Sequence, residues 1–244
     1  MGKIATFFTT LIAEAIGLPV DAFEQYFDVD QQHKLKIVKY PDLEELGLEG
    51  QGQGVGPHKD SMLSSYLLQA SGHKGLQVQN TQGDWIDCPP INGTLVVAMG
   101  QGMEALTQGV CMSTTHRVLS PAPGTGPRYS IPFFQGVSLD ATFESMEVPE
   151  EVKEMRKRVM VRNGGRLDDV EFTFKKGRYK HLGEATLMNR IKSHPDVGER
   201  WYPDLLAQIR EEQARERREK EAKEKEMVAE TKEMERRPVA VEAH

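Results

Sequence analysis

The sequence predicts a mainly-β fold, a barrel or jelly roll flanked by α-helices. From Leu35 onward the chain breaks into short apolar runs, LKIVKY, LSSYLLQ, LQVQN, DWIDCP, TLVVAMG, VCMSTTHRVL and RYSIPFF. Turn-forming pairs such as Ser71-Gly72, Gly83-Asp84 and Asn92-Gly93, together with PAPGTGP, separate them. Runs of this length bounded by glycine and proline read as strands. Their close succession favours a barrel or two-sheet architecture over alternating β-α-β units.

Helical signals frame this region. Ile4, Phe7, Phe8, Leu11, Ile12, Ala15 and Ile16 follow the i, i+3, i+4 spacing of an amphipathic helix, which Gly17 and Pro19 end. Glu14 interrupts the apolar run, so the segment reads as a core-packing helix rather than a signal peptide. Val20 to Asp28 reads as a short second helix. After Glu144 the chain turns helical and charged, with Pro149 suited to the first turn of a helix running through Val159. From Arg210 to Arg237 acidic and basic residues are equal in number, with Glu211/Arg215 and Glu216/Lys220 at i, i+4 spacing and almost no apolar stripe. A solvated helix is the expectation there, and a partner-binding arm the alternative. The resulting division is a helical packing segment at 1–34, a β core at 35–143, a C-terminal helical region at 144–209 and a charged helical or disordered tail at 210–244.

Bulk properties narrow the function. A length of 244 residues suffices for one well-buried domain. The net charge of −6 gives no overall basic field and argues against nucleic acid as principal partner. Two cysteines, Cys88 and Cys111, in a chain of this size suit reduced thiols and a cytoplasmic setting. No apolar stretch approaches the roughly 18 residues of a membrane span, so no membrane partner is expected.

Three short segments carry chemistry. In VGPHKDSM, His58 and Asp60 lie two apart, and residues i and i+2 of an extended chain share a face. In VCMSTTHRVL, strand alternation puts Val110, Met112, Thr114, His116 and Val118 together, so His116 points toward a barrel interior. Two imidazoles and one carboxylate form a facial triad that suits non-haem Fe(II), because the remaining positions stay open. The same side chains would also hold Zn2+ and activate water. In RYSIPFF, Arg128 and Ser130 share a face of a strand whose Ile131, Pro132, Phe133 and Phe134 argue for burial. A buried guanidinium needs an anionic partner, and its fork fits a carboxylate.

His58-Lys59-Asp60, Thr115-His116-Arg117-Val118 and Arg128-Tyr129-Ser130 together resemble the isopenicillin N synthase-like branch of the Fe(II)/2-oxoglutarate-dependent oxygenases, also called the iron/ascorbate oxidoreductases. IVKYP at 37–41, the segment 75–109 and IPFF at 131–134 resemble that family's strands and turns, and 183–203 resembles the tail of fungal members. The resemblance is to a fungal-type member lacking the usual N-terminal region. It implies a double-stranded β-helix core in which His58, Asp60 and His116 bind Fe(II), Arg128 and Ser130 hold the distal carboxylate of 2-oxoglutarate, and Tyr40 contacts the cosubstrate. Val38 stands where many plant relatives carry Asn, so the likeness does not extend to that contact. Arg117 alternates away from the metal and reads as structural. The implied activity is oxidation, by default hydroxylation, of a small organic substrate with O2, releasing succinate and CO2, with ascorbate as a further candidate reductant. The rival reading is a non-catalytic metal- or ligand-binding scaffold whose charged tail recruits a protein partner. An oxidase that ignores 2-oxoglutarate would need something other than the Arg128 anchor.

Other features read as bland. GQGQGVG at 50–56 lacks a following helix and a Gly-Lys-Ser/Thr, so it is expected to be a flexible turn. His33, His73, His181 and His194 are expected at the surface, and Met99, Met103 and Met112 in the core or lining a pocket.

Overall fold

A computed structural model describes residues 1–27, 31–50, 52–142, 146–162, 181–215, 217, 218 and 222. Most of the charged segment 210–244 therefore lies outside the described residues. The chain divides into two compact units, Met1–Thr186 and Leu187–His244.

The first unit is built on two antiparallel sheets. In chain order the strands are β1 (Lys34–Leu35), β2 (Val38–Tyr40), β3 (Gln53–His58), β4 (Ser64–Gln69), β5 (Leu76–Gln79), β6 (Trp85–Asp87), β7 (Val96–Met99), β8 (His116–Leu119) and β9 (Arg128–Gln135). One sheet runs β1-β9-β4-β7, with β2 also paired to β9, and the other runs β3-β8-β5-β6. This is a jelly roll with flanking helices, as the strand spacing predicts.

The run LKIVKY is two strands rather than one, and Pro132 explains the break. Lys36 N–H donates to the Pro132 carbonyl at 3.0 Å, but proline has no N–H to return the bond. Lys34 and Leu35 pair with Phe134 and Phe133, and pairing resumes at Val38 opposite Ser130.

The helix α1 (Gly2–Ala15) forms where the spacing predicts, but its buried face differs. Ala5, Thr9, Ile12 and Ala13 are buried, while Ile4, Phe7 and Leu11 are 53, 64 and 42 % exposed. A polar contact chooses the face. Thr9 Oγ1 donates to the Ala5 carbonyl at 2.7 Å and accepts from Gln135 Nε2 at 2.9 Å, while Gln135 Oε1 accepts from Ser64 Oγ at 2.6 Å. These groups satisfy one another under the helix, and Phe8 sits edge-on to Tyr66 beside them. Hydrophobic spacing alone could not reveal this choice.

Three further elements depart from expectation. The segment after Pro19 forms turns and a 3-10 turn at Glu24–Tyr26, anchored by buried Phe23 and Tyr26, instead of an α-helix. The glycine-rich segment 50–56, expected as a flexible turn, is described at all positions but 51. From Gln53 it is strand β3, paired with β8 through two register shifts. A Cβ on Gly54 would lie 2.6 Å from Tyr40 Cδ1, so glycine here admits an aromatic ring against the strand. Within TLVVAMG to VCMSTTHRVL, a six-residue helix α2 (Gln101–Leu106) intervenes, and only His116–Leu119 of the latter run is strand. Residues 110–113 rest on side-chain acceptors, with Thr107 Oγ1 taking the Cys111 N–H at 3.0 Å and Glu104 Oε2 the Ser113 N–H at 2.7 Å, and backbone bonding to β5 resumes at the Thr115 carbonyl, which accepts from Gln79 N–H at 2.8 Å. The expected shared face holds for Thr114, His116 and Val118, which line one cavity, but does not extend back to Val110 and Met112, and His116 opens β8 rather than sitting inside a long strand.

The remaining helices are α3 (Glu150–Arg162), which buries no residue, α4 (Leu182–Ser193) and α5 (Pro195–Trp201). In the C-terminal unit Ile191, Leu206 and Ile209 are buried, and Gly198 admits the close approach: an added Cβ would lie 2.8 Å from Ile191 Cγ2. No described helix is long and apolar enough to cross a membrane.

Candidate metal centre and carboxylate pocket

β3 ends at His58 and β8 begins at His116, and the two are register partners. Asp60 follows two residues after the end of β3. His58 Nε2 lies 3.7 Å and His116 Nε2 3.8 Å from Asp60 Oδ1, and the three ligand atoms fall within 4.8 Å of one another. The structure therefore brings together the three residues that the sequence singles out.

Each donor is oriented from behind. His58 Nδ1 donates to the Gly56 carbonyl at 2.8 Å and His116 Nδ1 to the Thr114 carbonyl at 3.0 Å. A carbonyl only accepts, so the proton sits on Nδ1 and the Nε2 lone pairs face Asp60. Ser65 Oγ donates to Asp60 Oδ2, leaving Oδ1 turned to the imidazoles. Burial, and then the neighbouring His116, pull His58 below the ordinary histidine range, against the Gly56 hydrogen bond and Asp60. Imidazoles oriented by the carbonyls behind them and one anchored carboxylate fit a divalent metal, and the outer hydrogen bonds are of the kind that fix metal ligands.

The triad lines a cavity of about 260 Å³ whose wall also includes Tyr40, Leu67, Val96, Arg128 and Ser130. Arg128 and Ser130 are 0 and 1 % exposed, and strand alternation turns both inward while Tyr129 faces out. One guanidinium nitrogen, Nη2, donates to Gln69 Oε1 at 3.0 Å, and the guanidinium lies 5.1 Å from the Tyr40 ring centroid. Nε and Nη1 are buried with no acceptor among the described residues. Burial draws the Arg128 pKa down, with Tyr40 opposing. A sealed guanidinium with two unsatisfied nitrogens is chemically suited to a carboxylate.

Sequence reasoning missed Ser65 and Gln69. Both sit on β4 at the same parity as cavity-lining Leu67, so polar residues on the inward face of SSYLLQ were the available signal. Arg117 does point away: it packs on Trp85 at 4.1 Å and donates to Gln77 Oε1 at 2.8 Å. Of the four histidines expected at the surface, His33 is half-buried, 5.2 Å from the Phe133 ring, and accepts from Gly136 N–H. His73 is also partly buried and bonds the Thr125 carbonyl at 2.7 Å. His181 is partly buried and bridges to Thr142, whereas His194 is exposed. Met103 is fully buried and Met99 and Met112 partly so.

Comparison with known proteins agrees with this geometry. Residues 31–137 match the model of the 2OG-Fe(II) oxygenase superfamily. A 2-oxoglutarate-dependent dioxygenase, frbJ, of Dothideomycetidae sp. (strain 11243) is 72 % identical over 218 residues, covering 88 % of this chain and 59 % of that protein. A 2-oxoglutarate-dependent dioxygenase of Gibberella zeae is 36 % identical over 220 residues, covering 85 % and 56 %. The chain thus spans little more than half the length of these relatives. Among solved structures, a 2OG-Fe(II) oxygenase family protein from Caulobacter crescentus superposes with TM-score 0.53 at 26 % identity, over 75 % of this chain and 52 % of that one. A full-length Neurospora crassa protein, solved in complex with alpha-KG, shares the fold, with TM-score 0.58 at 24 % identity over 78 % and 53 %. Residues 31–137, which carry the His-Asp-His cluster and the arginine pocket in the positions just described, are a segment of the 2OG-Fe(II) oxygenase superfamily.

Proposed function

We propose that this chain carries the catalytic core of a non-haem Fe(II)/2-oxoglutarate-dependent oxygenase that oxidises, by default hydroxylates, a small organic molecule with release of succinate and CO2. The observation that carries the reading is one cavity with two features. Three donor atoms converge on one side, and a sealed Arg128 presents two unsatisfied nitrogens on the other. His58, Asp60 and His116 would hold the iron. Arg128 and Ser130 would receive the distal carboxylate of 2-oxoglutarate, with Tyr40 beside it. The iron supplies O2 activation and redox chemistry when bound, and the protein's part is to orient ligands, neutralise the carboxylate and exclude water.

The finer placement in the isopenicillin N synthase-like branch rests on the His58-Lys59-Asp60 and Arg128-Tyr129-Ser130 spacing. Free Cys88 and Cys111 support a cytoplasmic setting. The acidic balance supports a small-molecule substrate over nucleic acid. The confinement of the described strands to Lys34–Gln135 supports treating 35–143 as the oxygenase core, with 1–34 as a packing segment and 144–209 as a separate helical region.

Anaerobic addition of Fe(II) and then 2-oxoglutarate is expected to produce the visible charge-transfer band of the chelate, and aerobic incubation slow succinate formation. Both are expected to vanish in His116→Ala. Equal succinate formation in wild type and His116→Ala would reject the reading in favour of a scaffold. Iron-dependent turnover indifferent to 2-oxoglutarate would point to an oxidase.

A further inference from the structure

The helix α2 contributes no side chain to the cavity, yet it touches the segments on both sides of it. At its N-terminal end Gly100 N–H donates to the Leu63 carbonyl at 3.0 Å and Gln101 N–H to the Asp60 carbonyl at 2.8 Å. Glycine at 100 is required by close approach, since a Cβ there would collide with the Met62 carbonyl. One turn later, Glu104 is 8 % exposed and its Oε2 accepts both the N–H of Ser113, at 2.7 Å, and the Ser113 hydroxyl. Ser113 is followed by Thr114, whose carbonyl receives His116 Nδ1. A single helical turn therefore runs from the backbone of one metal-binding segment to the residue that precedes the carbonyl orienting the other.

Within residues 110–115 a ladder-type bond reaches Thr115, whose carbonyl accepts from the Gln79 N–H at 2.8 Å, so the Thr114 carbonyl is held from one side by β5 and from the other by Ser113. A buried carboxylate taking two hydrogen bonds from one residue is a strong fixture, because charged acceptors bind more tightly than neutral ones and leave Ser113 no rotational freedom. We propose that Glu104 is a positioning residue for the metal centre: by holding Ser113 it sets the Thr114 carbonyl that locks the tautomer and direction of His116, and α2 ties that ligand to Asp60. The proposal rests on the reading of His58, Asp60 and His116 as metal ligands.

The test uses the full chain and three variants, Ser113→Ala, Glu104→Gln and Glu104→Ala, with Co(II) as an anaerobic spectroscopic probe and Fe(II) for turnover. Loss of a hydrogen bond made directly to a ligand weakens metal binding about 10–100-fold, and because these variants act one residue further out, losses of up to about tenfold are expected. Glu104→Ala is expected at the severe end. Glu104→Gln, which keeps an acceptor oxygen, is expected to recover part of the loss. Ser113→Ala, which keeps the N–H bond to Glu104, is expected to weaken Co(II) binding and alter its visible spectrum while the metal-free protein melts within a few degrees of wild type. The KM for 2-oxoglutarate is expected to stay unchanged, because the Arg128 pocket is untouched. Ser113→Ala and Glu104→Gln proteins that fold and match wild-type Co(II) affinity and spectrum would overturn the proposal. A wild-type chain that binds neither Co(II) nor Fe(II) would instead overturn the ligand assignment on which it stands.

Discussion

His58 and His116 are cross-strand partners, with ring centroids 4.2 Å apart and ring planes inclined by 54°. Neither imidazole can move far without disturbing the pairing of β3 with β8. The pair is preorganised by the ladder and by the two carbonyls behind the rings. His116→Ala removes one donor from a partly buried site without opening the core. It is expected to abolish Fe(II) binding in anaerobic titration while the metal-free protein keeps its melting temperature to within a few degrees.

Ser65 acts on the same centre through Asp60. Without its hydroxyl, Asp60 Oδ2 loses the partner that turns Oδ1 toward the imidazoles. Ser65→Ala is expected to raise the Fe(II) dissociation constant about 10–100-fold, as for other outer-shell partners. Competition against a chelator of known affinity checks this, and an unchanged constant would show Asp60 to be held by other means.

At the other end of the cavity, Arg128→Ala removes the charge-assisted hydrogen bonds offered to an entering carboxylate. Each bond of this kind is worth about 1.5–3 kcal/mol, so a rise of at least tenfold to hundredfold in the KM for 2-oxoglutarate is expected. Arg128→Lys is expected to recover only part, because an ammonium cannot present the paired fork. Succinate formation against 2-oxoglutarate concentration separates the three proteins.

Asp42 supplies a pH signature away from the site. Its carboxylate accepts the N–H groups of Glu45 and Gly126, each at 2.8 Å, tying the turn after β2 to the loop before β9. The Glu45 and Gly126 hydrogen bonds hold its pKa below the ordinary carboxylate value. A depressed folded-state pKa stabilises above the unfolded value, and that contribution is lost as pH falls through the folded one. Asp42→Asn is therefore expected to be less stable than wild type at neutral pH, with the gap narrowing in acid. Thermal melts from pH 7 downward check this, and a gap that widens in acid would reverse the sign.

Gly54→Ala tests the packing of β3 against Tyr40. The added methyl would meet the ring at 2.6 Å, and overpacking of this kind costs about 1–3 kcal/mol. A lower melting temperature is expected, with a weaker effect when Tyr40 is replaced by a smaller residue in the same chain.

The jelly roll was legible because most of its strands carry apolar runs with turn residues between them. The inward placement of Arg128 and Ser130 was legible because β9 alternates strictly at its start, with Tyr129 facing out. β3 was hidden because glycine is depleted in strands, and its reason for being there is the Tyr40 ring from a distant part of the chain. α2 was hidden because six residues are too few to display a helical period, and its apolar content matches the strands on either side. His116 was placed correctly for an incomplete reason. Its inward direction comes from pairing with His58 and Val78 and from the Thr114 carbonyl, not from alternation along a strand reaching back to Val110.

The sealing of Arg128 reaches beyond catalysis. An interior cation with two nitrogens that find no acceptor among the described residues carries a desolvation cost, and the dicarboxylate proposed above would offset it. Under the proposed function, ligand concentration would then set stability as well as turnover: at a hundred times the dissociation constant, one site adds about 2.7 kcal/mol to unfolding.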